Sequence, residues 1–165
     1  MPKLVPIALF AGLIATTPVP VLAQDAMIVN VKRMSMDTAQ SIARAVIDAC
    51  RAEGMQVGVT VVDRDGIPQA VLRDTIAPTI TLPISEGKAY AAVMFGVATS
   101  ELSERANTPI GRVPGVVMSA GGVPIQVGGA LIGGVGVSGA PSGETDQACA
   151  QAGVDAVQTD LEMSM

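Results

Sequence analysis

The chain has 165 residues, room for one domain, and 49% of them are hydrophobic, enough to bury a core. A formal net charge of −5, with no basic run and few aromatic residues, argues against a nucleic-acid or anionic-lipid surface. The absence of histidine removes histidine-based triads and HExxH metal sites together. With two Phe, one Tyr and no Trp, the core must come from Val, Ile, Leu, Ala and Met. Eighteen Gly and 11 Pro make tight turns and close backbone approaches frequent.

Residues 1–23 read as a secretory signal. Lys3 supplies the positive start, Leu4 to Ile14 the apolar stretch, and Val21-Leu22-Ala23 the cleavage site, with the cut before Gln24. The apolar run is too short to cross about 30 Å of hydrocarbon, so no membrane anchor is expected after cleavage. Residues 24–34 are expected as an arm, 35–160 as the domain and 161–165 as a tail. Ser35 can cap a helix whose apolar face carries Met36, Ala39, Ala43, Val46, Ile47 and Cys50, stopped by Gly54. A hairpin follows: Val57 to Val62, the turn Asp63-Arg64-Asp65-Gly66, then Ile67 to Arg73. Residues 74–83 read as a loop and Ile84 to Ala98 as a helix. A short helix is expected at Ser100 to Ala106 and a loop at Thr108 to Pro114. Strands are expected at Val116–Ser119, Pro124–Val127 and Ala130–Ser138, then a helix from Gly143 to Val157 capped by Ser142. The pattern is α+β, with a mainly antiparallel five-stranded sheet and helices packed on it.

Three stretches invite chemistry. Gly133, Gly134 and Gly136 weaken a strand unless something packs close to its backbone. They do not form GxGxxG and no GK[ST] is present, so tight packing, of a helix or of a second subunit, is the simpler reading beside a ligand on bare backbone. Asp63, Asp65 and Gly66 are similar to the start of a calcium loop, but an apolar strand stands where the remaining ligands belong, so a hairpin turn is expected. Ser85 and Lys88 have the Ser-x-x-Lys spacing of an acyl-transfer pair without the S-D-N and K-T-G elements. An ion pair of Lys88 with a carboxylate such as Asp63 or Asp65 is the simpler use.

The stretches Val61-Val62-Asp63-Arg64-Asp65-Gly66, Ala77-Pro78, Ile84-Ser85-Glu86-Gly87-Lys88-Ala89 and Gly121-Gly122-Val123-Pro124-Ile125 occur in this order. Gly129 and Ile132 to Gly139 follow, including Gly136, Ser138 and Gly139. From Met34 to Val157 the chain resembles the GlcG/HbpS family, also called DUF336 or haem-degrading. The resemblance implies a profilin-like or PAS-like sandwich, homo-oligomers (octamers in relatives), and haem or a related tetrapyrrole as ligand. Such folds pack their first and last helices side by side, which implies a Cys50–Cys149 disulfide, permitted by export. The chain departs from the family in lacking a histidine haem ligand and in carrying an export signal. An axial ligand would then come from Met, Tyr, Lys, Cys or Thr, with Met118 and Tyr90 as candidates. Arg73, Arg112 or Lys88 would hold propionates.

Two functions follow as expectations. The first is an exported, periplasmic or secreted, small-ligand binding or accessory protein for haem or a similar tetrapyrrole. The second is a non-catalytic subunit that assembles with itself or with a periplasmic oxidoreductase and carries no cofactor. No nucleophile–base pair supports an enzyme.

Overall fold

The computed structural model describes residues 27–165, and the expected signal segment and its cleavage point lie outside the described residues. The folded unit runs from Val31 to Met165. Helix α1 spans Met36–Ala52, with the Ser35 hydroxyl accepting from the Thr38 N–H at 3.2 Å. Strands β1 (Gly58–Asp63) and β2 (Pro68–Arg73) form the expected hairpin. The Asp63 carboxylate accepts from the N–H groups of Asp65 and Ile67, and Gly66 takes φ +83° to close the turn.

Helix α2 spans Thr81–Phe95, starting three residues before the expected Ile84. Pro83 falls in its first turn, where a missing N–H leaves no helical bond unmade. Two short 3-10 segments follow, Thr99–Asn107 and Pro109–Arg112, the second where a loop is expected. Strands β3 (Gly122–Val127) and β4 (Ala130–Ser138) lead into α3, Gly143–Met163. Helix α3 continues past Val157 because Val157 and Leu161, one turn apart, both pack against the core.

The sheet has four strands, not five, in the order β2-β1-β4-β3, with every neighbouring pair antiparallel. The expected strand at Val116–Ser119 runs along α2 instead. The Val117 N–H donates to the Gly87 carbonyl at 3.2 Å, and Met118 packs with Ala91 and Leu102. Its apolar residues find a helix to bury against, so it needs no sheet partner.

Alternation along the strands sorts the two faces. Val59, Val61, Val123, Ile125, Val135 and Val137 enter the main core with Ile42, Val46, Ala150 and Val154 of α1 and α3. The other face offers Thr60, Val62, Gly134 and Gly136 to α2. A Cβ on Gly136 would overlap the Ser85 carbonyl and lie 2.5 Å from the Ala89 nitrogen; one on Gly134 would lie 2.6 Å from Val93 Cγ2. The glycine-rich strand is therefore the bed on which α2 rests.

Helices α1 and α3 pack side by side and are stapled by Cys50–Cys149, with Cα atoms 5.5 Å apart and a sequence separation of 99. A closed loop of about 100 residues stabilises by about 4–5 kcal/mol in the chain-entropy account. At the end of α1, Arg51 Nε and Nη2 donate to both Asp74 carboxylate oxygens at 2.6 and 2.7 Å. That contact, helped by the Thr75 N–H, draws the Asp74 pKa from 3.8 down to about 2.

Two consequences are measurable. Gly136→Val should lower the unfolding free energy by about 1–3 kcal/mol through overpacking, read as a lower urea midpoint. An unchanged midpoint would mean that α2 lifts off β4 freely. Because the folded-state pKa of Asp74 is depressed, its contribution is present above about pH 4 and fades as pH falls towards 2. Asp74→Asn should lower the melting temperature at neutral pH and flatten the decline across that acid window, measured by circular dichroism.

Candidate functional site

Helix α2 uses its faces differently. The face on the sheet carries Ser85, Lys88 and Ala89, all buried. Another face meets the β1–β2 turn and the loop before β3 along an open groove of about 440 Å³. Gly66, Ile67 and Pro68 line it from the turn, Pro83, Glu86, Gly87 and Tyr90 from α2, and Pro114 and Gly115 from the loop. Tyr90 is half-buried, and its ring lies against Gly66: a Cβ there would come within 2.6 Å of Cδ2. Gly66 thus serves twice, closing the turn and admitting the ring. On the far wall, bare Gly87 seats Val117, whose Cγ2 would meet a Cβ at 2.6 Å.

Lys88 is internal. Its Nζ donates to Asp146 Oδ2 at 2.8 Å and to the Val137 carbonyl at 2.9 Å, and Asp146 Oδ1 accepts from the Ala140 N–H at 3.0 Å. Both side chains are sealed, at 4% and 5% exposure. Burial pushes the Asp146 carboxyl pKa up, against the opposing pull of Lys88 and the Ala140 N–H. Gly121 makes room for the ammonium, since a Cβ there would lie 2.5 Å from Nζ. The neighbouring Gly122 N–H donates to Thr99 Oγ1 at 2.8 Å.

The Lys88 partner is therefore Asp146, not Asp63 or Asp65, which both pair with Arg33 instead. Ser85 shares a buried 2.9 Å hydrogen bond with Thr60 and donates to the Leu82 carbonyl at 2.9 Å. With both side chains so engaged, the Ser-x-x-Lys spacing builds packing and an ion pair. In sequence, a carboxylate in a first helical turn looks like a dipole partner, and only the fold brings Asp146 to Lys88.

The remaining candidates separate. Tyr90 alone lines the groove. Met118 is 4% exposed in a closed cluster with Ala91 and Leu102, flanked by Phe95, Val97 and Val116. Arg73 spends Nη1 on the carbonyls of Asp74 and Ala77. Arg112 ends the second 3-10 segment, two residues from Pro114 of the groove wall. Pro124 stands on edge strand β3, Ser138 is buried at the end of β4, and Gly139 turns the chain away at φ +129°. Among the described residues no group of three acidic, Cys or His side chains could hold a metal. A larger groove of about 630 Å³ lies between α1 and α3 over the disulfide. Its charged lining is Glu53 and Glu144, and it holds no ring, so the Tyr90 groove is the better candidate despite its smaller size.

The fold and site define an α+β domain whose one buried charge pair is internally satisfied and whose ring-bearing groove is open to solvent. The family model described as "Haem degrading protein HbpS-like" matches residues 34–155, and the chain belongs to this family. A solved double mutant of Streptomyces reticuli HbpS is 33% identical, covering 86% of this chain and 99% of that one, with a TM-score of 0.76. The Klebsiella pneumoniae protein ORFY, a DUF336 protein, is 26% identical over 81% of this chain and 96% of that one, with a TM-score of 0.74. A PduOC:haem complex is 28% identical over 76% of this chain and 95% of that one, with a TM-score of 0.70. No curated protein matches the chain.

Removing one member of the buried pair leaves the other charged and unpaired. Lys88→Met is expected to cost about 3–5 kcal/mol of stability, and adding Asp146→Leu should restore most of it. Chemical denaturation of the three proteins checks this; a single variant as stable as the parent would mean that the pair is not sealed.

Proposed function

We propose that this protein binds haem or a related tetrapyrrole, and that the ligand lies in the groove beside Tyr90. The observation that carries the reading is the placement of the one tyrosine. Among the axial candidates Met118 and Tyr90, only Tyr90 reaches open space. The groove fits such a group in three respects. Its volume lies within the usual range of ligand pockets, roughly 300–1,000 Å³. Ile67, Pro68, Pro83 and Pro114 give it apolar walls, and bare backbone at Gly66, Gly87 and Gly115 allows close approach. Tyrosine is an established axial donor to haem iron. The lining carries no cation, so the propionates stay in water. Membership of the HbpS-like family and the likeness to a haem complex support the same ligand class.

In this reading the protein is exported to the periplasm or beyond, with the signal removed before Gln24. The Cys50–Cys149 bridge is consistent with an oxidising compartment. It also assembles with itself, as its resemblance to oligomeric relatives suggests. A second reading, an assembly subunit or partner of a periplasmic oxidoreductase without a cofactor, is favoured by the exposed apolar residues of β2 and the segments flanking it: Ile67, Val71, Ile76 and Ile80.

The test is an absorbance titration of the chain from Gln24 to Met165 with haemin. A saturable Soret shift at fixed stoichiometry is expected. Tyr90→Phe should weaken it at least about tenfold, a loss of about 1.4 kcal/mol, and Met118→Leu should leave it unchanged. A featureless, non-saturating curve would sink the haem reading and favour the assembly subunit.

A further inference from the structure

Building on the haem reading of the Tyr90 groove, we propose that the site selects ferric haem, and trivalent-metal porphyrins generally, over ferrous haem, with Tyr90 as the ligand that discriminates. The argument is an inventory of donors. The chain has no histidine. Its only two cysteines are joined in the disulfide, so no thiolate is available. Lys88 is sealed against Asp146 and the Val137 carbonyl, and Met118 is closed in its own cluster. Met94, one turn beyond Tyr90, lies with its methyl group towards Gly66 and does not line the groove. The side-chain donors that do line it are the Tyr90 phenol and the Glu86 carboxylate, both oxygen.

Soft and nitrogen donors hold low-valent iron well; anionic oxygen suits harder, more highly charged ions. The charges point the same way. A porphyrin dianion with Fe(III) carries a net positive charge at the metal, whereas with Fe(II) it carries none, so a phenolate gains attraction only from the ferric form. Ligation balances without electron transfer. The phenol O–H bond breaks and its proton passes to solvent, the oxygen–iron bond forms, and a water leaves the iron. Glu86 adds a carboxylate-bearing side chain to the same groove, which favours a cationic metal centre over a neutral one.

The experiment compares four probes on the same purified chain: haemin, haemin reduced by dithionite under anaerobic conditions, Ga(III) protoporphyrin IX and Zn(II) protoporphyrin IX. Haemin and the gallium compound are expected to bind within about threefold of each other, and ferrous haem and the zinc compound at least about tenfold more weakly. Tyr90→Phe should bring the trivalent compounds down to the level of the divalent ones; Met94→Leu should change none of the four. Equal binding of haemin and ferrous haem, or a preference that survives Tyr90→Phe, would overturn the selectivity while leaving haem binding intact. Failure of all four to bind would overturn the binding reading itself, and the selectivity with it.

Discussion

How closely α2 can approach β4 decides the shape of this protein. A helix over a sheet usually stands off by the thickness of two layers of side chains. Here β4 presents Gly134 and Gly136, and a Cβ at either would enter the space of α2: the Val93 side chain at the first, the Ser85 carbonyl at the second. Glycine within a strand costs order and cross-strand packing. That cost is offset by close contact of β4 with α2 between Ser85 and Val93. The second interior, of Val62, Ala89 and Val93, is correspondingly thin, and the bulk of the apolar volume lies on the other face beneath α1 and α3.

The close approach also explains the buried pair. Lys88 reaches Asp146 of α3 where β4 leaves the sheet and β3 begins, with Gly121 clearing its path. An ion pair taken out of water is weak evidence for stability, since desolvation consumes much of the attraction. What it adds is position. Lys88 binds a β4 carbonyl and an α3 carboxylate at once, and the second carboxylate oxygen takes the Ala140 N–H, so α2, the end of β4 and the start of α3 share one arrangement. The Cys50–Cys149 bridge and the Arg51–Asp74 contact fix the opposite layer in a similar way, joining α1 to α3 and to the segment after β2.

Local signals were legible and long-range ones were not. Ser35 and the apolar spacing after it place α1, and Asp63-Arg64-Asp65-Gly66 places the hairpin, because each feature acts within a few residues. The packing role of Gly134 and Gly136 was legible in kind, since bare backbone in a strand demands a close neighbour, but not in choice between helix and second subunit. Val116–Ser119 misled because an apolar β-branched run looks the same beside a helix as in a sheet. The start of α2 was obscured by Pro83, which reads as a loop signal until the first-turn exemption applies. The groove itself had no sequence signature: Tyr90 and Gly66 are 24 residues apart and meet only through the fold.

The same geometry limits where a ligand can go. With α2 on the glycine bed and the other face filled by α1 and α3, both interiors are closed by small and aliphatic side chains, and two Phe and one Tyr cannot wall a buried macrocycle. In the proposed haem reading, a flat tetrapyrrole binds from outside, in the groove where Gly66, Gly87 and Gly115 leave backbone bare beside Tyr90. One face of such a ligand stays open to solvent or to a second molecule. In that proposed reading, so open a site leaves affinity to the metal–ligand bond more than to enclosure, which is why the proposed selectivity turns on the valence of the metal and on a single phenol.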